Sequence, residues 1–214
     1  MLRSLGEQNA WSKKSDYHMA VRVPLLIHVP WLPQSHGQSS PVKAELVDLY
    51  RTLADLTGIT DIQPSVQGMS LKSVFESPAS PDPLVATKAA FSQIGRCACK
   101  FYTDHNVKEC NAGACLNTPI NSSSYNFMGY SIEAERAELG GHWRYTAWLG
   151  WNHTAGYADW SNVTARELYD LRTLEAKDPE FYDFDGFAAN VADAHDSVVQ
   201  ALHKELEQAI VSFY

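Results

Sequence analysis

The sequence predicts an α/β region followed by a small α+β unit, an antiparallel sheet closed by a C-terminal helix. Three observations carry this expectation. Residues 21–29 form an apolar, β-rich run that precedes a stretch of helical periodicity. From Tyr125 onward, aromatic residues concentrate in segments that alternate with period two. The last twenty or so residues repeat apolar side chains at helical spacing. A sheet first met by helices and then by its own hairpins is the pattern of these fold classes.

The elements follow in chain order. Val21 to Val29 reads as a buried strand, with Pro24 near its entry and Pro30 at its end. Val42, Leu46, Leu49, Leu53 and Leu56 recur at helical spacing, with Pro41 before them and Gly58 after, which predicts a helix over 42–57. Residues 60–84 are rich in Pro and Ser and read as surface. Ala89 to Ile94 reads as a strand, and 96–124 has turn composition. Strands are expected at 128–133 and 143–151, with Gly140-Gly141 as the hairpin turn between them. Glu167 to Leu171 is a third strand of this unit. A helix over about 190–212 carries the stripe Val191, Val198, Leu202, Leu206 and Ile210, with Asn190 and Asp193 in a capping arrangement. The expected division is 1–124 and 125–214.

Composition narrows the function classes. The chain has 214 residues and a net charge of −8, so a nucleic-acid binder relying on an overall basic field is excluded. No apolar run approaches the roughly 18 residues of a membrane span. The opening residues 1–16 lack the apolar centre of a signal peptide. Two features nevertheless point to the secretory route. Three glycosylation sequons start at Asn121, Asn152 and Asn162, where chance gives about one. The four cysteines, Cys97, Cys99, Cys110 and Cys115, are local and even in number, as in disulfides formed in an oxidising compartment. Their pairing stays open among three possibilities. Zinc binding is the other reading, although these spacings are not those of common zinc folds.

Few residues carry chemistry on their own. Lys13-Lys14 precedes the first strand, where a compact cation can meet an oxyanion; a solvated pair is the plainer reading. Asp104-His105 has metal-ligating types but only two of them. Trp148 lies on the strand face opposite Trp143 and Trp151, so it is the candidate for stacking against a sugar; core packing is the alternative for all these aromatics.

Several blocks in order resemble the type I sulfatases, and within them those acting on glycosaminoglycans. Leu5-Gly6-Glu7, then Trp11-x-Lys13, lead into Val23-Pro24-Leu25-Leu26-Ile27. Residues 45–59 resemble the family helix, with Arg51 where proline is usual, and Gly68-Met69-Ser70-Leu71 resembles its Gly-x-Ser-Leu turn. Residues 128–151, 167–171 and Asp178-Pro179 resemble the C-terminal subdomain.

The resemblance implies an alkaline-phosphatase-like α/β domain, of which 1–124 would be the C-terminal part, and a small antiparallel subdomain over 125–214. It implies hydrolysis of sulfate esters in the lysosome or outside the cell, with a formylglycine nucleophile and a calcium ion. Lys13 matches the lysine that contacts the sulfate, where a fixed cation offsets the charge that grows as the S–O bond breaks. Lys14 stands at a non-basic position of the family. No C/S-x-P-x-R motif occurs in these residues, and Met1-Leu2 stand where the His-Gly of an Asp-His-Gly would fall. The expectation is therefore a C-terminal portion whose nucleophile and calcium ligands lie in a preceding N-terminal part, and which is inactive alone. A non-catalytic glycan-binding module is the alternative.

Overall fold

In the computed structural model the described residues are 4–5, 11–12, 15–96, 125–152, 154–172 and 189–212. All four cysteines, Lys13, Lys14, Asn121 and Asp104-His105 lie outside them. The described residues fall into two compact units. One draws on 1–23, 91–133 and 137–214, the other on 24–90 with 134–136.

The first unit is built on a four-stranded sheet in the order β3-β4-β5-β6, with β3 at Ala90–Arg96, β4 at Phe127–Arg136, β5 at Gly141–Asn152 and β6 at Tyr157–Asp170. A separate two-residue ladder joins β1 (Ser4–Leu5) to β2 (Trp11–Ser12). The expected strands at 89–94, 128–133 and 143–151 are present and longer. The strand expected at 167–171 is the end of β6, whose register against β5 shifts on either side of Leu149. A bulge of this kind strengthens local twist. Between β4 and β5 a turn of 3-10 helix, Ala137–Leu139, leads into Gly140 at φ +77°, a conformation glycine adopts without a Cβ penalty.

The sheet has two unlike faces. Tyr130, Ile132, Tyr145, Ala147, Leu149 and Leu168 point to one of them and are buried. The C-terminal helix lies there, with Tyr145 Oη and His203 Nδ1 2.9 Å apart and the Trp143 and His195 rings 5.2 Å between centroids. Val198, Leu202 and Leu206 of that helix are buried, as the stripe predicts. Its start differs from expectation. The helix, numbered α5 below, runs Asp196–Val211, preceded by a 3-10 turn at Ala192–Ala194. Asn190 caps nothing in it. Its Oδ1 accepts from Leu168 N and Ala192 N, and its Nδ2 donates to Arg166 O, so the side chain is spent on fastening the approach to β6.

Residues 21–29 correct another expectation. Val21 closes a short helix, α1 (His18–Val21), and 22–29 form no strand and join no ladder among the described residues. No described strand lies alongside to complete the hydrogen bonds that define a sheet, and Leu26 is 89% exposed.

The second unit contains α2 (Asp48–Thr57), α3 (Lys72–Glu76) and α4 (Pro83–Ala86). The helix expected from 42 begins at Asp48. Glu45 N donates to Asp48 Oδ2 at 2.7 Å, so the chain before the helix bends around this carboxylate instead of continuing the spiral. Gly58 ends it in the left-handed region, φ +75°, with Ile59 N donating to Ala54 O. The apolar stripe is buried only in part, at Leu56 and partly at Leu49, and polar side chains make up much of the buried face of α2. Asp48, Thr52, Ala54 and Leu56 are buried, while Leu46, Tyr50 and Leu53 are exposed.

Candidate functional site

The second face of the sheet is polar, and the alternation of the strands makes it so. Ser131 and Glu133 of β4, and His142, Arg144, Thr146 and Trp148 of β5, fall on the side opposite the α5 face. The segment from Ser15 to α1 covers them. Asp16, His18, Ser131, His142, Arg144 and Thr146 are all buried, an unusual density of polar side chains.

Burial of this kind requires partners, and almost every group has one. Glu133 sits at the centre. His18 Nδ1 donates to its Oε2 at 2.8 Å, His142 Nε2 to its Oε1 at 3.1 Å, and Arg144 Nη1 lies 3.4 Å from Oε2. Burial alone would raise the Glu133 carboxyl. The hydrogen bonds from His142 and His18, with the charges of His18 and Arg144, outweigh it and hold the group far below the ordinary carboxylate range. Arg144 is the second hub. It donates through Nε to Asp16 O at 2.9 Å and through Nη2 to Ser92 Oγ at 2.7 Å, and Nη2 is 3.2 Å from Asp16 Oδ1. Ser131 Oγ donates to Asp16 Oδ2 at 2.5 Å and stands 2.7 Å from Thr146 Oγ1.

This network fastens the Asp16–His18 segment to two strands. Its carboxylates are neutralised by the arginine and held by histidine and serine donors, which leaves no open set of oxygens for a cation. Among the described residues no group of three or more His, Cys, Asp or Glu side chains is placed to hold a metal ion. The described residues therefore do not fit calcium, and no chemical step is derived through it.

Beside the network lies a recess of about 20 Å³, bounded by Ser15 and Asp16 on one side and by Arg96, Thr146, Trp148 and Glu167 of the sheet on the other. Trp148 is partly exposed. Its indole lies across Gly129, where a Cβ would come within 2.8 Å of the ring, and its Nε1 donates to Glu167 Oε1 at 3.0 Å. Tyr169 donates to Glu167 Oε2 at 3.1 Å. Burial above all, with the Glu167 charge beside it, raises the Tyr169 hydroxyl well above its usual value, so it stays a donor. The Arg96 guanidinium is 5.8 Å from the Trp148 ring centroid. Ser15 Oγ is buried and has no hydrogen-bond partner among the described residues.

Of the residues expected from sequence, Trp148 lies at this recess and Lys13 precedes it by two positions from Ser15, outside the described residues. Asn152 and Asn162 are both exposed; Asn152 Oδ1 accepts from Thr154 N and Ala155 N in a local turn. The buried ion network was not among the expected groups. The signal for it was in the strands, where Ser131, Glu133, His142, Arg144 and Thr146 occupy every second position.

The four-stranded antiparallel sheet with its C-terminal helix is consistent with the C-terminal subdomain of a sulfatase. Comparison with curated proteins gives the same direction. The chain is 25% identical over 209 residues to iduronate 2-sulfatase of Homo sapiens, and equally to iduronate 2-sulfatase of Mus musculus. Each alignment covers 84% of this chain and 36% of the relative, so the chain spans about a third of the length of the curated relatives it matches. No family model matches. The relationship is sulfatase-like and distant.

Proposed function

We propose that this chain is the C-terminal portion of a sulfatase that hydrolyses sulfate esters of glycosaminoglycans, and that it brings one cation, Lys13, to the sulfate. Similarity to iduronate 2-sulfatase over most of the chain supports the class. The observation that carries the role is the buried network of Asp16, His18, Glu133 and Arg144, which fixes the segment following Lys13 to the sheet. A lysine leading into so constrained a segment has a fixed base from which to meet an anion, and fixed charge is what stabilises a growing oxyanion.

On this reading residues 1–124 belong to the catalytic α/β domain and 125–214 to the C-terminal subdomain. Calcium and the formylglycine nucleophile belong to the N-terminal part of the sulfatase, and this chain alone turns over no substrate. The exposed apolar residues Leu25, Leu26 and Leu46, and Tyr50 and Leu53 of α2, suit burial against that part. The enzyme is lysosomal or secreted, with Asn121, Asn152 and Asn162 glycosylated and the four cysteines in disulfides. No helix among the described residues is long and apolar enough to cross a membrane.

Titration of the full chain with a sulfated heparan tetrasaccharide and its desulfated counterpart tests the role of Lys13. The sulfated form is expected to bind more tightly, with the difference abolished in Lys13→Ala. Equal binding of both forms by the wild type contradicts the assignment. So, for the claim of inactivity alone, does hydrolysis of an aryl sulfate by the purified chain.

A further inference from the structure

We propose that the recess between Ser15–Asp16 and Trp148–Glu167 is a binding subsite for a single saccharide hydroxyl. The inference rests on the reading of a glycan substrate and deepens it by assigning one position of that substrate to named side chains.

Size comes first. At about 20 Å³ the recess exceeds the roughly 10–15 Å³ that one water molecule needs and is too small for a sugar ring. The occupant is therefore one oxygen-sized group. Its hydrogen-bonding character follows from the walls. Ser15 is 8% exposed, its Oγ is buried, and no described residue pairs with it, a condition that is unfavourable unless something supplies a partner. The Glu167 carboxylate receives one donor on each oxygen, from Trp148 Nε1 and Tyr169 Oη, and each oxygen keeps a further lone pair. Asp16 receives Ser131 and Arg144 in the same way. A group that both donates to a carboxylate and pairs with a serine hydroxyl is a hydroxyl or a water. A cation is disfavoured, because Arg96 also borders the recess.

The rim favours a sugar as the bearer of that hydroxyl. Trp148 is partly exposed and is pinned by its Nε1 and by the close approach over Gly129, so its position at the edge of the recess is fixed before any ligand arrives. A rigid aromatic surface beside hydrogen-bonding carboxylates matches the two chemistries of a pyranose, its apolar C–H face and its hydroxyl edge. When no saccharide is bound, water fills the recess, and its displacement by a hydroxyl that repeats its hydrogen bonds carries little penalty.

The test uses the full chain and the desulfated heparan tetrasaccharide, so that the sulfate–Lys13 contact plays no part. Binding is measured calorimetrically for wild type, Ser15→Ala and Ser15→Thr, with thermal unfolding of each. Ser15→Ala removes the unpaired hydroxyl, and Ser15→Thr keeps it while placing a methyl in the recess. Both are expected to bind about tenfold more weakly, the equivalent of about 1.4 kcal/mol, with unfolding temperatures close to wild type. If all three bind alike, the recess holds only structural water and the subsite is overturned, while the sulfatase reading stands on its own titration. If wild type does not bind the desulfated sugar at all, the subsite is likewise overturned. Should Ser15→Ala fail to fold, Ser15→Thr decides: unchanged affinity overturns the proposal, and weakened affinity with a preserved fold supports it.

Discussion

His18 Nδ1 and Glu133 Oε2 are 2.8 Å apart although 115 positions separate them in the chain. The bond closes a buried ring of charge in which Glu133 is shared by two histidines and an arginine whose side chain is 3% exposed. Removing one member of such a set costs far more than the set contributes as a whole, because its partners stay buried and uncompensated. Glu133→Ala is expected to lower stability by about 3–5 kcal/mol, read from urea unfolding. A loss below about 1 kcal/mol shows that the partners re-pair elsewhere.

The same carboxylate sets an acid limit. Its folded-state value lies well below its ordinary 4.5, so the stabilisation is fully present above that ordinary value and is lost as pH falls beneath it. Between about pH 6 and about pH 3.5 the urea midpoint of wild type should fall more steeply than that of Glu133→Gln, which has no proton to take up at this position. Parallel curves for the two proteins exclude Glu133 as the source of acid sensitivity.

In the second unit Asp48 has no exposed side-chain surface and serves three partners. It accepts from Glu45 N through Oδ2 and from Met69 N through Oδ1, and Lys88 Nζ approaches Oδ2 at 3.1 Å. Lys88 also pairs with Glu45 Oε2. Asp48→Ala leaves two backbone donors and much of an ammonium unsatisfied, with an expected loss of about 3 kcal/mol or more by thermal or urea unfolding. Asp48→Asn, which retains an acceptor for a backbone N–H, is expected to lose less. An equal loss in both assigns the effect to the charge alone.

What was legible in the sequence divides by the kind of signal. The sheet strands and α5 were readable because alternation and helical spacing report directly on a buried face, as at Tyr145, Ala147 and Leu149 or at Val198, Leu202 and Leu206. The run 21–29 misled because apolar, β-rich composition describes what a strand is made of and says nothing about whether a neighbour lies alongside. The α2 stripe misled differently. Its period was right, yet the buried side is organised by Asp48 and Thr52, whose value lies in long-range hydrogen bonds to Met69 and Leu71 that no local window contains. The network around Glu133 shares that property. Each strand shows a polar alternate face, but only the fold reveals that Asp16 and His18 cover it.

Gly68 offers a sharper test of the turn that follows α2. Its φ is +93°, and a Cβ there would collide with the backbone carbonyl of Val47. Both facts demand glycine, the first through conformation and the second through space, and neither can be relieved by turning a flexible side chain away. The next residue, Met69, donates its N–H to Asp48, and Leu71 N donates to Thr52 Oγ1, so displacing Gly68 also pulls on the two buried anchors of α2. Gly68→Ala is therefore expected to cost more than about 1 kcal/mol, beyond any gain from a stiffer unfolded chain. Hydrogen exchange distinguishes the mechanism from general loosening. The amides of Met69 and Leu71 should lose protection in Gly68→Ala while those of β4 and β5 keep theirs. Uniform loss across the sheet would show that the turn and the sheet unfold together.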